Sequence, residues 1–455
     1  MPLEVVVLAA GHGKRMRSRT PKVFHNVLDK PMLAHVIEVA RQAQADRIHT
    51  VVRPQMLELA RQLSADGINW VLQEEPKGTG HAVLQAMPDI SQDSHVLVLN
   101  GDAPLIMHET VASILAKGSN SLVVVTAELQ DPSGYGRIVR DHEGLVCGIV
   151  EDRDASFSQR KVREVNSGAI AASARVLQPL LDQLNCSNAQ GEYYLTDIVG
   201  LAKQAGVKVQ TVMAKDPEEV LGVNDRIQLA QAERILARRR AESLMKQGVT
   251  LKDPSRFDPR GKINAGIDCS IDVDVVLEGD VTLGEGVSIG PGCVLRDVEV
   301  GDRTVLREYS VIESAKIGSD CSIGPIARIR PGSVLEDEVS VGNFVEVKAS
   351  KLGRGVRANH LAYIGDAELG SDVNVGAGAI TCNFDGASKH RTVIGDNVFI
   401  GTNCTMVAPL SVGSGAFLAA GSTITTDVSG EVLAVGRARQ REISRWTPPQ
   451  RRKKT

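Results

Sequence analysis

The sequence predicts an α/β chain in two parts: an N-terminal domain on a mostly parallel sheet, a long helix, then a parallel β-helix of hexapeptide repeats. Three observations carry this. First, an aliphatic residue returns every sixth position at Ile317, Ile323, Ile329, Leu335, Val341 and Val347. The same beat runs through Ile271, Leu277, Leu283, Ile289 and Leu295, and again through Ile394, Ile400, Met406, Val412, Leu418 and Ile424. A helix repeats near 3.6 residues and a strand at two, so a period of six marks short strands that turn corners and stack coil on coil. Second, apolar strand-like runs alternate with helix-like spacing in the first half. Third, residues 226–247 are rich in Ala, Leu, Arg, Glu and Gln with few breakers. An irregular β-sandwich is the alternative for the hexads.

The 455 residues imply more than one domain, at roughly 100–200 residues each. Aromatics make up only 3%, so the cores must be aliphatic. A net charge of −3 argues against a nucleic-acid partner. The tail (Arg439, Arg441, Arg445, Arg451 to Lys454) is the local exception, read as a solvated terminus or as a dock for a phosphorylated ligand. Seven scattered cysteines without CxxC pairs fit free thiols in a reducing compartment. The apolar stretch Val5 to Ala10 is too short to span a membrane and lacks a basic flank. A soluble cytoplasmic protein with no membrane partner is expected.

Taken in order, Val5-Val6-Val7-Leu8 reads as a buried parallel strand. It runs into Ala9-Ala10-Gly11-His12-Gly13-Lys14-Arg15-Met16. Glycines allow close approach of backbone to an anion, and exposed N–H groups in such a turn form an anion nest. There is no GxxxxGK[ST], and Met16 fills the third glycine position of GxGxxG, so neither common phosphate motif is present. Lys14, Arg15 and Lys22 put cations beside the turn, which suits a triphosphate; a purely structural turn is the other reading. Leu33, Val36, Ile37 and Ala40 have helical spacing. Strands are expected at Arg47–Val52, Ile68–Leu72, Val96–Leu99 and Leu122–Thr126.

In such sheets ligands bind beyond the carboxyl ends of the strands. There Val96–Leu99 delivers Asn100-Gly101-Asp102. Asp102 either holds Mg²⁺, which takes one or two carboxylates plus substrate phosphates, or caps the following turn. Gln73 is placed at a strand end, and Gly78-Thr79-Gly80 is read as a flexible turn able to contact a base. Asn224 is either a neutral oxygen ligand or the N-cap of the following helix. His12, His25, His35, His49, His81, His95, His108 and His142 show no metal spacing and are read as surface or satisfied core residues.

The domains are expected at 1–225 and 249–455, with a linker helix at 226–248. Three hexads make one coil, so Ile263 to Val428 gives about nine coils at roughly 4.8 Å each. Departures from the plain repeat are the informative places. Arg330 and Lys348 follow core positions, and His360 lies in Ala358-Asn359-His360-Leu361-Ala362-Tyr363. The beat breaks between Thr381 and Ile394, where Cys382 to Gly386 is expected to bulge. Histidine titrates near ~6.5, so His360 is a candidate general base; a structural histidine is the alternative.

With both halves read, the chain resembles the bifunctional N-acetylglucosamine-1-phosphate uridyltransferase / glucosamine-1-phosphate N-acetyltransferase family over nearly its whole length. The motifs are LAAGHGKRM, PKV, GTGHA, NGD, GYGRI, NAQGEYYLTDI, GVN, RIRPG, GNFVEVK, NHLAYIGD and GAGAITCNFDG. The resemblance implies a Rossmann-like nucleotidyltransferase domain and a left-handed β-helix that assembles as a homotrimer. It implies uridylyl transfer from UTP with Mg²⁺ in the first half and acetyl transfer from acetyl-CoA to glucosamine 1-phosphate in the second. The product, UDP-N-acetylglucosamine, would feed peptidoglycan and lipopolysaccharide precursors.

By the same resemblance, Leu8, Ala9, Ala10, Gly11, Lys22, Gln73, Gly78 and Thr79 contact the nucleotide. Asn100, Gly101, Gly136, Glu151, Asn166 and Asn224 meet the nucleotide sugar. Asp102 and Asn224 hold Mg²⁺, and Arg15 and Lys22 act on the phosphates. In the second half His360 is the base, and Arg330 and Lys348 hold the sugar phosphate. Tyr363 and Asn374 line the sugar. Ala377, Asn383, Phe384, Thr402, Ala420 and Arg437 meet acetyl-CoA. Asn100 and Phe384 stand where the family often has Tyr, and Thr402 where Ser is frequent. A competing reading makes the β-helix only a scaffold behind a single nucleotidyltransferase.

Overall fold

The computed structural model describes residues 1–63, 67–118, 120–444 and 446. The chain divides into two compact units, 1–236 and 237–455. Of the basic tail, Arg439 and Arg441 are exposed, while Arg445 and Arg451 to Lys454 lie outside the described residues.

The first unit is built on strands β1 (Leu3–Leu8), β2 (Arg47–Val52), β3 (Ile68–Leu72), β4 (His95–Asn100) and β5 (Leu122–Glu128). The antiparallel pair β6 (Arg137–Arg140) and β7 (Val146–Val150) forms an arm; β8 (Glu164–Ser173) and β9 (Val209–Met213) complete the sheet. The sheet order is β9-β5-β8-β4-β1-β2-β3. β1 runs parallel to β2 and β4, with Val7 opposite Thr50 and Leu99. β8 runs antiparallel to both β4 and β5. The sheet is therefore mostly parallel, as expected, with one reversed strand that no simple pattern announced.

Val5, Val6 and Val7 are fully buried, as a central strand covered on both faces must be. The period of two sends Val5, Val7, Leu97 and Leu99 toward helix α1 (Met32–Gln42), where Leu33, Val36, Ile37 and Ala40 meet them. Val6, Val96 and Val98 point the other way, onto Ala82 and Val83 of helix α2 (Thr79–Ala86). Gly78-Thr79-Gly80 is thus a helix start rather than a flexible turn. Gly78 has φ 110°, and a Cβ there would fall 2.6 Å from the carbonyl oxygen of Tyr193. Only glycine fits that corner.

Helix α3 (Arg226–Lys246) contains the division between the units. Asp225 Oδ1 accepts from the N–H groups of Ile227 and Gln228 at 2.9 Å, an N-cap, and Gly248 with φ 100° follows the other end. In the first unit Ala232 and Ile235 pack with Val27, Met32 and Leu105. Ile227 and Ala230 of the same helix are exposed.

The second unit stacks eleven short strands into one parallel wall, from Thr250–Leu251 to Leu433–Ala434. A fifteen-stranded sheet wraps the remaining walls. Every hexad aliphatic named above is at most 5% exposed. Stacked partners lie 18 residues apart at Ile271–Ile289 and 17 at Ile289–Leu306, so several coils are one residue short of three full hexads. The interval widens to 25 at Val375–Ile400. The surplus forms the expected bulge, a small hairpin in which Phe384 bridges Lys389. Asp385 pins it by accepting from the N–H groups of Ala387 and Ser388 and from His390 Nε2.

Stacking this close excludes even a methyl group at some corners. A Cβ on Gly261 would fall 1.9 Å from the carbonyl oxygen of Gly279. Gly261→Ala is expected to destabilise the second unit by about 1–3 kcal/mol through overpacking. Gly148→Ala, where nothing lies within 4 Å, should leave stability unchanged. Thermal unfolding of both variants checks this; equal midpoints would contradict it.

Candidate functional site

The carboxyl ends of β1, β3 and β4 border a cavity of about 240 Å³. Leu8, Ala10 and Gly11 form one side, Gln73, Gly78 and Thr79 another, with Lys22 and Asp102 facing them. A second cavity of about 180 Å³ is lined by Gly136, Glu151, Asn166 and Asn224. Thr79, Asn100 and Asp102 line both cavities. Ala9 and Gly101 lie beneath: the Ala9 N–H bonds the carbonyl of Val51, and the Gly101 N–H that of Leu8, each at 2.9 Å. Arg15 is exposed on the short turn Lys14–Met16 and does not line either cavity.

Lys22 is the centre of the first site. It is 9% exposed, and its ammonium donates to Asp102 Oδ2 and, at 3.0 Å, to Asn224 Oδ1. The Val223 N–H donates to the carbonyl of Asp102 at 2.9 Å, which brings Asn224 beside the carboxylate from far along the chain. Asp225, not Asn224, caps helix α3, and the Asp102 carboxylate binds Lys22 rather than a turn N–H. Gly13 has φ 60°, and a Cβ there would lie 2.6 Å from Lys22 Cβ. The glycine turn therefore makes room for the lysine. Two oxygens converging on one cation fit a divalent ion that draws its remaining ligands from phosphate and water. No group of three or more His, Cys, Asp or Glu able to hold a metal occurs among the described residues, so a full protein cage is absent there.

The second cavity is polar and held by the β6–β7 arm. Arg137, 2% exposed, donates to the carbonyl of Tyr135 and to Asp152 Oδ1, fixing the start of β6 next to Gly136. Burial raises the pKa of Glu151 above the usual carboxylate range, and its Oε1 accepts from Thr196 Oγ1 at 2.9 Å. The Asn100 amide fills the space beside Gly168, which has φ 84°.

In the β-helix the coil register places residues in columns. Val341 stacks on Ala358, Ala358 on Val375, Val375 on Ile400 and Ile400 on Leu418. Two positions further along each strand, Asn343, His360, Ala377, Thr402 and Ala420 therefore share one corner. His360 is exposed, with Nδ1 3.4 Å from Asn343 Oδ1. Arg437 reaches the end of this corner, its Cδ 3.8 Å from where a Gly421 Cβ would lie. Asn374 is one coil on from His360's strand, opposite Arg357.

Arg330 and Lys348 share a second column, because Ile329 stacks on Val347. Arg330 pairs with Glu346 at 2.8 Å and Lys348 with Asp366 at 2.9 Å. Tyr363 stacks on Glu346 and adjoins this pair in the wall. Asn383, 9% exposed, donates to the same Asp366 carboxylate, whereas Phe384 is 60% exposed. Sequence reasoning missed Lys389. Lys348 and Arg330 nearby lower its pKa, so three cations face one patch. The signal was a lone lysine in an irregular loop, invisible to the six-residue beat.

The fold and the two sites define a nucleotidyltransferase joined to a hexapeptide-repeat acyltransferase. Residues 5–193 match the MobA-like NTP transferase domain. Residues 260–353 match the GMPPB C-terminal domain, and residues 391–426 the hexapeptide repeat of succinyl-transferase. The chain is 53% identical over 450 residues to the bifunctional protein GlmU of Alkalilimnicola ehrlichii, covering 99% of this chain and 97% of that protein. It is 50% identical over 456 residues to that of Pseudomonas entomophila, covering 100% of both. The chain belongs to the bifunctional GlmU family.

Gly13→Ala tests the lysine geometry. A Cβ at that position is expected to displace Lys22 from Asp102 and slow nucleotidyl transfer by about tenfold or more. Pyrophosphate release measures it; an unchanged rate would contradict the arrangement.

Proposed function

We propose the following assignment of residues to the two reactions. The chain acetylates glucosamine 1-phosphate with acetyl-CoA in its second unit. In its first unit it transfers UMP from UTP to N-acetylglucosamine 1-phosphate, releasing pyrophosphate.

For uridylyl transfer the supporting observation is the buried Lys22 ammonium set between Asp102 and Asn224 at the cavity wall. The sugar phosphate oxygen attacks the α-phosphorus of UTP, and the bond to the pyrophosphate oxygen breaks. Negative charge spreads over phosphoryl oxygens, so Lys22 acts by position and charge, and Arg15, on the exposed turn outside the cavity, by charge alone. A Mg²⁺ ion held by Asp102 and Asn224 would add a second positive charge against the same oxygens. The backbone at Leu8 to Gly11 and at Gly78 and Thr79 cradles the nucleotide. Gly136, Glu151, Asn166 and Asn100 orient the sugar in the second cavity.

For acetyl transfer the supporting observation is the corner column of His360, Ala377, Thr402 and Ala420. An extended thioester arm laid along Ala377, Thr402 and Ala420 ends beside His360. Asn343 Oδ1 faces Nδ1 of His360, which favours the proton there and leaves Nε2 free to accept one. The amine nitrogen attacks the thioester carbonyl, its proton passes to His360, and the C–S bond breaks to release the thiol. Arg330 and Lys348 hold the sugar phosphate. Tyr363 and Asn374 line the sugar, while Asn383, Phe384 and Arg437 complete the cofactor site.

A homotrimer is proposed as the working form. Tyr309, Ile326, Phe344 and Leu361 sit on successive coils, each at positive φ and 47–62% exposed. Such a column of apolar side chains next to His360 is suited to burial against a second copy. No described helix is long and apolar enough to cross a membrane, and all seven cysteines are free. The proposed location is the cytoplasm.

His360→Ala is expected to abolish acetylation of glucosamine 1-phosphate and leave pyrophosphate release from UTP intact. Loss of both activities, or of neither, would contradict two separate sites. Asp102→Ala should remove the Mg²⁺-dependent reaction alone; an equal fall in thiol release would contradict it.

A further inference from the structure

We propose that His81 sets the base specificity of the nucleotidyl site. Its Nδ1, as a hydrogen-bond acceptor, holds the Gln73 carboxamide so that Oε1 faces the cavity and accepts the N3–H of uracil. The proposal rests on the uridylyl reading and deepens it.

Gln73 follows β3, is 2% exposed and lines the first cavity. Its Nε2 lies 2.9 Å from Nδ1 of His81 and 3.3 Å from the carbonyl oxygen of Gly78. A backbone carbonyl can only accept, so Gly78 determines which end of the carboxamide carries nitrogen. With Gln73 Nε2 donating to both neighbours, Nδ1 of His81 must be the unprotonated ring nitrogen, and Nε2 holds the proton. Gln85 Nε2 lies 3.4 Å from that ring nitrogen, and a half-turn of this amide sets its oxygen there to accept the proton. Gln73 Oε1 has no partner among the described residues and is left to the cavity.

Uracil presents one donor, N3–H, between two carbonyl acceptors. Cytosine presents an acceptor at N3 and a donor at N4. An inward oxygen matches N3–H of uracil and opposes N3 of cytosine; an inward NH₂ would reverse the preference. Removing a buried partner that fixes such a group costs discrimination more than binding.

The charged and titratable groups facing His81 support the acceptor form. Lys77 and Glu75, paired at 2.6 Å, lie on the preceding loop, and the Tyr193 ring lies 6.3 Å away across the helix start. Burial, then Lys77, lowers the pKa of His81 below its ordinary value of 6.5. At neutral pH the ring is uncharged. Protonation would aim Nδ1–H at the Gln73 NH₂ and drive the amide to turn over.

The test is the ratio of kcat/KM for UTP over CTP in the full-length protein. His81→Ala should lower that ratio by about tenfold or more, the scale of one specific buried hydrogen bond. His81→Asn, whose Oδ1 can accept in place of Nδ1, should restore most of it. In the native protein the ratio should hold through the ordinary histidine range and fall only at more acid pH, because the His81 pKa is lowered, and in His81→Asn it should stay flat. Both substrates are measured on one preparation, so partial unfolding cancels, and its acetylation rate reports intact protein. An unchanged ratio in His81→Ala, or equal losses in both variants, overturns the role of His81 while leaving the uridylyl reading in place. A native protein that uses CTP as readily as UTP defeats the uridylyl reading and, with it, this inference.

Discussion

The backbone hydrogen bonds between successive coils of the β-helix are the constraint on which the second unit depends. Each coil's N–H groups meet the carbonyls of its neighbour, as between Ser340 and Val356 at 2.8 Å and between Arg357 and Val373 at 2.9 Å. Strands so paired lie about 4.8 Å apart. Equivalent positions must then stand directly over one another, whatever their side chains. The aliphatic core and the proposed acetyl-transfer corner are two outcomes of one rule. Inward phases collect Ile, Val and Leu, and an outward phase collects His360, Ala377, Thr402 and Ala420. Small or short side chains above His360 keep that corner open, whereas Phe399 and Phe417 on the wall nearby stack at 4.3 Å and close theirs.

The first unit reaches the same end by a different constraint. Parallel strands deliver their carboxyl ends to one edge, so Leu8, Asn100 and the loop carrying Gln73 meet there. The long-range contacts that finish the site are made by backbone. The bond from Val223 to Asp102 recruits Asn224, and Gly78 lets the segment around Tyr193 approach. The charge balance is local: one buried ammonium faces one carboxylate and one amide oxygen.

Legibility followed periodicity. Leu277 or Val347 could be placed in the core from spacing alone, and the break that holds Phe384 was visible because the beat stopped. Strand β8 was not visible, since Glu164–Ser173 alternates no more regularly than its parallel neighbours, and its reversal depends on pairing partners. Gly78 looked like a turn because sequence records flexibility, not the approach of Tyr193. Asp102 was chosen from its place after a strand, yet its partnership with Lys22 spans eighty positions and only tertiary structure makes it. His81 was set aside for lack of metal spacing, although its role depends on one amide across a loop. Lys389 had no pattern to betray it. Chemistry carried by single residues in irregular segments is where pattern reading ends.

The column rule is tested most directly by a crystal structure of the assembled protein with coenzyme A. The account predicts the pantetheine arm running along Ala377, Thr402 and Ala420 with its sulfur beside His360. A cofactor bound on another wall, with His360 far from the sulfur, would contradict it.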